Sequence, residues 1–237
     1  AIKRVCNLLN QAYLGLSYSQ YPQDFSKPRG FFLLAGHEGV GKTTLAYAVK
    51  DLLLGPYRDM ILLNMGDYQD ENACRRLMMY STLDNGSFLG KIKKNPYSVI
   101  LFENIESAHP SVLKLISSII RDGEILTDDG NTISFSGCLI ICTIRLSGCC
   151  PNTYQLSHSE EETNKEYLAR ERTAHESITL FFEEKKSLDF SKFIQGNTIV
   201  FRGIHPDAAK LILDVMINRI FEKISAMYGI NLMMSTS

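Results

Sequence analysis

The fold is decided by residues 31–44, which read FFLLAGHEGVGKTT. The unbroken apolar run 31–35 predicts a buried parallel strand, because such strands are covered on both faces. Residues 36–43 match G-x-x-x-x-G-K-[ST] in full, and an amphipathic helical pattern follows over residues 44–54. A glycine loop between a buried strand and a helix is the context in which this motif binds phosphate groups, so we expect a phosphate-binding loop here.

Each residue type in this loop has its own task. Gly39 and Gly41 let the backbone curl so that its N–H groups face the β- and γ-phosphates at the positive end of the next helix. Lys42 neutralises phosphate charge, and Thr43 offers its hydroxyl to Mg²⁺. His37 is expected to be an exposed loop position without a catalytic role. We therefore predict that ATP or ADP binds with Mg²⁺ at Gly36, His37, Glu38, Gly39, Val40, Gly41, Lys42, Thr43 and Thr44.

Strands and helices alternate along the rest of the chain, which indicates an α/β fold with a doubly wound parallel sheet. The predicted elements are strands at 59–64, 98–102, 139–143 and 199–201, helices at 1–16, 110–121 and 207–227, and a hairpin at 123–135. The apolar stripe of the helix at 207–227 is expected to face a core. Residues 151–187 are polar and charged, and predict a solvated helix or a mobile loop.

Composition narrows the function classes. The 237 residues, 45% of them hydrophobic, suffice for one large domain, alone or with a small lobe. The balance of 25 Lys and Arg against 26 Asp and Glu gives no overall attraction to nucleic acid or to an anionic membrane. No apolar run approaches the roughly 18 residues that span a bilayer. The 6 cysteines lack a C-x-x-C pair and a His at metal spacing, which favours reduced thiols in a cytoplasmic or organellar matrix protein.

A second site motif follows the strand at 98–102. A nucleotide-hydrolysing enzyme with this loop needs an acidic residue for the magnesium shell and a carboxylate that polarises the attacking water. Glu103 and Asn104 follow directly after this strand, where these two carboxylates are expected. We therefore assign Glu103, with Thr43, to the metal, and note that an amide at residue 104 cannot act as a base.

The same region carries a family resemblance. PYSVILFENIE at 96–106, with AHP at 108–110, resembles the P-Y-S-V-V-L-F-D-E-I-E-K-A-H-P of the second ATPase domain in Clp chaperones of the ClpA, ClpB and ClpC type. Residues 122–135 resemble that family's D-G-x-x-T-D-x-x-G-R-x-V-D-F hairpin. The resemblance runs from residue 1 to about residue 148, and weakly through 190–232.

The resemblance implies a AAA+ nucleotide-binding domain over residues 1–204 and the start of a helical small domain over 205–237. It also implies ATP bound at the subunit interfaces of a homo- or hetero-oligomeric ring that works on protein partners. The family's first and last motifs are missing at the two ends, so we expect the chain to be a fragment of a longer protein.

The departures from the family concern hydrolysis. Asn104 stands where the family has its catalytic Glu, and Arg145 stands where it has the Asn of its first sensor. Our alignment puts Ile194 at the arginine finger, with Lys192 or Arg202 as substitutes if the alignment shifts. The family's substrate-gripping G-Y-V-G loop has no counterpart at residues 78–86. We therefore expect impaired hydrolysis, with Glu103, Asn104 and Arg145 as degenerate catalytic positions.

Two function classes remain open at this point. The first is an ATP-binding, weakly hydrolysing module that regulates or scaffolds other proteins. The second is an active Clp-like unfoldase or disaggregase domain in which Glu106 supplies the carboxylate, although the alternative role of Glu106 is an ion pair. Arg145 likewise has two interpretations: it contacts the γ-phosphate, or it turns outward to an acidic surface residue.

Overall fold

The computed structural model describes part of the chain: Cys6, Asn7, Leu9, Asn10 and residues 26–79, 86–127, 130–149, 164–201, 203–204 and 206–229. The chain divides into two compact units, residues 1–202 and 203–237. The four described residues near the start are helical. The rest of the helix predicted over 1–16 lies outside the described residues.

A parallel sheet forms the centre of the first unit. Its strands lie in the order β2-β3-β6-β1-β7. They are β1 Gly30–Gly36, β2 Ile61–Asn64, β3 Val99–Glu103, β6 Leu139–Arg145 and β7 Thr198–Val200. The predicted α/β fold is therefore confirmed, with strand ends shifted by a residue or two. The hairpin is confirmed as well, as β4 Glu124–Leu126 paired antiparallel with β5 Thr132–Ser134.

Helices follow the strands. They are α1 Lys42–Leu54, α2 Ala73–Met78, α3 Phe88–Lys94, α4 Pro110–Asp122, α5 Leu146–Cys149, α6 Asn164–Glu184 and α7 Leu188–Ile194. Short 3-10 turns lie at Met65–Asp67 and Ile105–Ser107. In α4, Pro110 occupies the first turn and Gly123, at φ 72°, ends the helix in the left-handed region, where glycine has no steric penalty.

The core consists of two apolar clusters on opposite faces of the sheet. Alternate residues of β1 separate between them: Phe31 and Leu33 join the larger cluster, and Phe32 and Leu34 join the smaller. The larger cluster includes residues of α4, α6 and α7, and the smaller includes residues of α1. Since successive side chains of a strand point to opposite faces, this separation means that helices cover both sides of the sheet.

Residues 151–187 were expected to form a solvated helix or a mobile loop; the helix is present as α6, but the expected solvation is wrong because one of its faces is buried. Ala174, Ile178 and Phe182 of α6 are between 0% and 1% exposed, and the ring centroid of Phe182 lies 4.8 Å from that of Phe190. These residues recur every four positions and therefore share one helix face, which the many charged residues between them conceal in the sequence. Residues 151–163 lie outside the described residues.

The second unit contains α8, Pro206–Tyr228, close to the predicted bounds. Its apolar stripe does not face a core as expected, because Leu211, Val215 and Ile220 are 67%, 51% and 52% exposed. The described residues of this unit form no second element against which the stripe could pack. Among the helices that the structure describes, none has the length and apolar character needed to cross a membrane.

Candidate nucleotide-binding site

Three strand ends meet at the carboxyl edge of the sheet. In the register of the sheet, Gly36 at the end of β1 lies opposite Arg145 at the end of β6. Phe102 of β3 lies opposite Cys142, one residue before Thr143. The loop over residues 36–43 therefore lies beside Glu103, Asn104 and Arg145, as expected for a ligand site at the carboxyl ends of parallel strands.

The loop requires glycine for its backbone conformation. Gly39 has φ +75° and Gly41 has φ +93°, and a Cβ atom added at either would meet nothing within 4 Å. The requirement is thus conformational and not one of space, since other residues rarely adopt positive φ. Gly41 is the N-cap of α1, and no side chain caps this helix end. The N–H groups of its first turn can therefore bind an anion.

Lys42 lies inside this loop, with 8% of its surface exposed. Its Nζ donates hydrogen bonds to the carbonyl oxygens of Gly36, at 2.8 Å, and His37, at 2.6 Å. Burial lowers the pKa of Lys42, and the nearby carboxylates of Glu106 and Glu38 act in the opposite direction. The loop thus holds one cation at the centre of the phosphate motif.

His37 differs from its expected exposure. It is half-buried, and burial together with the charge of Lys42 lowers its pKa. The loop curls over Lys42, so the residue next to Gly36 loses part of its contact with solvent. Glu38 and Thr44, in contrast, are exposed.

Thr43 and Glu103 form the pair expected for magnesium. The Thr43 hydroxyl donates a hydrogen bond of 2.7 Å to Oε1 of Glu103. A hydroxyl and a carboxylate are hard oxygen ligands, and this donor set fits Mg²⁺. The described residues contain no cluster of three or more His, Cys, Asp and Glu for a metal. Mg²⁺ would therefore need phosphate and water oxygens as further ligands, as is usual beside a phosphate loop.

The backbone of Asn104 has a positive φ, which few residue types adopt. Its φ of 55° lies in the left-handed region, which asparagine tolerates better than most residues. The backbone N–H donates to Oγ1 of Thr143 at 3.2 Å, and Nδ2 donates to Oδ1 of Asn64 at 3.3 Å. The contact with Asn64 was not predicted, although a polar residue at the end of the second strand was a signal for it.

Arg145 joins the phosphate loop to the turn after β3. Its Nε donates to Oε1 of Glu106 at 2.7 Å, and its Nη1 donates to Oε1 of Glu38 at 3.0 Å. The Glu106 side chain is 6% exposed, whereas that of Glu38 is 73% exposed. The hydrogen bond to Glu106 and, to a smaller extent, that to Glu38 raise the pKa of Arg145. Glu106 therefore forms an ion pair, as its alternative interpretation expected, and the contact of Arg145 with a phosphate group stays a prediction.

Lys185 contacts the turn that carries Glu106, and the sequence alone did not single it out. Its Nζ donates to the carbonyl oxygens of Glu106 and, at 3.4 Å, of Ala108, and burial lowers its pKa. It follows directly after α6, so this lysine fastens the turn that carries Glu106. This contact was not expected, because residues 151–187 were predicted to be solvated. In the structure, Nζ of Lys185 packs 5.1 Å from the ring centroid of Phe181.

Two of the three candidates for the arginine-finger position lie within the described residues. Ile194, aligned with the arginine finger, is 2% exposed and belongs to the larger core cluster. Lys192 is exposed on α7. Arg202 and most of the expected gripping loop, residues 80–85, lie outside the described residues.

Known proteins resemble this chain in sequence and in fold. The family model described as AAA domain (Cdc48 subfamily) matches residues 27–181. The ATP-dependent Clp protease ATP-binding subunit ClpA homolog of Pyropia yezoensis is 28% identical over 235 residues, which are 94% of this chain and 27% of that protein. Chaperone protein ClpB of Aquifex aeolicus (strain VF5) is 27% identical over 230 residues, which are 95% of this chain and 22% of that protein.

A solved structure extends the comparison. The S. cerevisiae Hsp104-ADP complex matches with a TM-score of 0.73 and 24% identity, over 94% of this chain and 36% of that one. This likeness shows the fold, and the chain spans about a quarter of the length of the two curated relatives. Because the family model covers more than half of its residues, the chain belongs to the AAA domain family, Cdc48 subfamily.

Proposed function

We propose that this chain is an ATP-binding AAA+ module of the Clp type with weak or absent hydrolysis, which regulates or scaffolds other proteins. One observation carries the proposal. The nearest carboxylate that could replace the missing catalytic Glu, that of Glu106, accepts a 2.7 Å hydrogen bond from Arg145. The residue types of the phosphate-binding motif, by contrast, are all present, and the Thr43–Glu103 contact and the positive φ of Gly39 and Gly41 support binding of phosphate and magnesium.

Nucleotide binding rests on backbone and charge. The N–H groups around Gly39 and Gly41 and the first turn of α1 would face the phosphates, and Lys42 would neutralise their charge. Thr43 and Glu103 would hold Mg²⁺, which shields the phosphate oxygens when it is bound. Nucleotide binding needs only these contacts and charges, because no proton is transferred when the nucleotide binds.

Hydrolysis needs a positioned base, and this is where the site is deficient. A carboxamide at residue 104 has no basic oxygen for the attacking water, and its Nδ2 is engaged with Asn64. Glu106 is buried and its Oε1 is directed to Arg145. A guanidinium cannot be deprotonated and cannot accept a hydrogen bond from water, so Arg145 offers no substitute.

Arg145 has a role in holding the triphosphate under this proposal. A planar guanidinium is suited to phosphate oxygens, and Nη1 already contacts Glu38 of the phosphate loop at 3.0 Å. Adding a cation at the place of the γ-phosphate would favour ATP over ADP. The module would then spend most of its time in one nucleotide state, as a regulatory or scaffolding unit requires.

Assembly and domain organisation follow from the relatives. We propose residues 1–204 as the large nucleotide-binding domain and residues 205–237 as the start of a helical small domain. By analogy with Clp chaperones, the module would join a homo- or hetero-oligomeric ring and bind protein partners, without a role for nucleic acid. The relative Hsp104 was solved as an ADP complex, which is consistent with nucleotide binding at the shared fold.

The test combines calorimetry with a steady-state ATPase assay on the same chain in Mg²⁺. We expect ATP binding and a turnover well below about 1 s⁻¹, the lower end of typical enzyme values. The competing function, an active unfoldase domain with Glu106 as base, predicts normal turnover that Glu106→Gln abolishes. Normal turnover would contradict the proposal, and absence of nucleotide binding would contradict both functions.

A further inference from the structure

A cavity of about 430 Å³ lies at the amino ends of the strands, at the sheet edge opposite the phosphate loop. It is lined by apolar side chains, among them Leu54 from the end of α1, Val99 from the start of β3 and Leu139 from the start of β6. Arg29, Arg58 and Tyr97 line the same cavity. Its volume is within the range of about 300–1,000 Å³ that is typical of small-molecule sites.

The backbone around the cavity is firmly bonded. The N–H of Leu139 donates to the carbonyl of Ser98 at 3.0 Å, and the N–H of Arg29 donates to that of Cys138 at 2.9 Å. Gly137 approaches residues 96 and 97 so closely that an added Cβ would lie 2.6 Å from the carbonyl oxygen of Pro96. The cavity therefore does not depend on a rearrangement of the strand ends, which favours a preformed site.

The two arginines give the cavity its charge. The Arg29 guanidinium lies over the Tyr97 ring, 5.2 Å from its centroid, and this contact orients it. Among the residues that the structure describes, neither Arg29 nor Arg58 has a carboxylate partner or a side-chain hydrogen bond. Both residues are exposed, and such arginines are often only solvated. Here, however, two of them border one apolar cavity of the chain.

The combination selects a class of ligand. A guanidinium binds carboxylates in a planar, two-pronged geometry, and the leucine and valine side chains favour an aliphatic body over a polar base. We propose that this cavity binds a small organic carboxylate with an aliphatic chain. The carboxylate contacts Arg29 and Arg58, and the chain packs on Leu54, Val99 and Leu139. This site does not depend on the proposed nucleotide function.

Decanoate is the probe, measured by titration calorimetry with the full chain at ligand concentrations up to about 1 mM, which detects weak binding. We expect one molecule per chain. Arg29→Ala and Arg58→Ala should each weaken binding about two- to fivefold, since the ion pair of an exposed arginine contributes little. Arg75→Ala, an exposed arginine on α2, is the matched control and should leave the affinity unchanged.

Two further measurements test the need for the carboxylate and the location of the ligand. Decan-1-ol, which has the same chain without the charge, should bind at least about tenfold more weakly than decanoate. Leu53→Trp should block the cavity, because Leu53 lines it and is 38% exposed, so that a larger side chain fits without disturbing the core. Unchanged thermal unfolding will show that each variant is folded.

Three results would overturn the inference. The first is equal binding of decanoate and decan-1-ol. The second is decanoate affinity that is insensitive to both arginine variants. The third is no decanoate binding at all, including the case in which a peptide with a carboxyl-terminal leucine binds instead, because the cavity would then receive a protein terminus and not a small carboxylate.

Discussion

The two halves of the carboxyl edge differ in how closely their residue types match the Clp pattern. The binding half comprises residues 36–44 and Glu103; it carries all residue types of the phosphate-binding motif, and its Thr43 hydroxyl donates to Glu103. The hydrolytic half has an amide at Asn104 and a guanidinium at Arg145. Binding uses backbone N–H groups and net charge, whereas turnover depends on a single positioned base. One edge of a sheet can therefore lose the second property and keep the first.

Arg145 connects these halves physically. It donates hydrogen bonds to Glu38 in the binding half and to Glu106 in the turn after β3, and Lys185 donates to the backbone carbonyl of Glu106. The contact with the buried Glu106 contributes more to stability, because removal of one member of a buried pair leaves an uncompensated charge. The exposed pair with Glu38 has little energetic value, as is usual for surface ion pairs.

The largest expected effect comes from restoring the base. We predict that Asn104→Glu raises the ATP turnover number, since a general base contributes about 10²–10⁴-fold. Asn104→Gln has the same length without the carboxylate and is the control that should stay at the wild-type rate. Unchanged turnover in Asn104→Glu would contradict the view that the base limits hydrolysis and would move the limit to Arg145 or to the missing finger.

The next effect concerns the binding half. Lys42→Ala should weaken ATP binding about a hundredfold or more, because the variant loses charge-assisted hydrogen bonds to phosphate of about 1.5–3 kcal/mol each. Calorimetry measures the dissociation constants, and Lys91→Ala, an exposed lysine on α3, is the matched control. If Lys42→Ala bound ATP as tightly as the wild type, the loop would not be the phosphate site.

A smaller effect tests the link between the halves. Arg145→Asn restores the residue type that the Clp resemblance implies, and should reduce the preference for ATP over ADP about ten- to a hundredfold. The measurement is the ratio of the ATP and ADP dissociation constants in the variant and in the wild type. Equal ratios in the two proteins would show that Arg145 does not contact the γ-phosphate.

The smallest effect comes from the exposed partner. Glu38→Gln removes a negative charge beside the phosphate loop and releases Nη1 of Arg145, so ATP affinity should rise about two- to fivefold, in line with about 0.2–1 kcal/mol for an exposed ion pair. Glu124→Gln changes an exposed carboxylate on β4, away from this edge, and should have no effect. A loss of affinity in Glu38→Gln would mean that Glu38 itself supports binding.

The sequence predicts the sheet well because four of its five described strands, β1, β3, β6 and β7, are buried on both faces along most of their length. Residues 31–35 and 139–142 form unbroken apolar runs, which are typical of a strand covered on both faces. The curled backbone at Gly39 and Gly41 was equally predictable, because the motif has glycine where positive φ is needed. The Thr43–Glu103 contact follows from the two motifs meeting at the carboxyl edge of the sheet.

Other parts could not be derived from the sequence, for physical reasons. The three buried residues of α6 are too few among charged neighbours to mark a packed helix, and their burial depends on Phe190 from another element. The partners of Arg145 depend on distances between segments far apart in the chain, and several carboxylates were available to it. Local sequence patterns do not specify which of several distant carboxylates an arginine contacts.

The central claim, that the site holds ATP without turning it over, is tested most directly by a single-turnover experiment. Protein in excess binds radiolabelled ATP in Mg²⁺, and the conversion of bound ATP to ADP is followed over time. We predict that nearly all label is bound and remains triphosphate for many minutes, far beyond the about 1 s that a turnover of about 1 s⁻¹ implies. Conversion of bound ATP to ADP within seconds would contradict it.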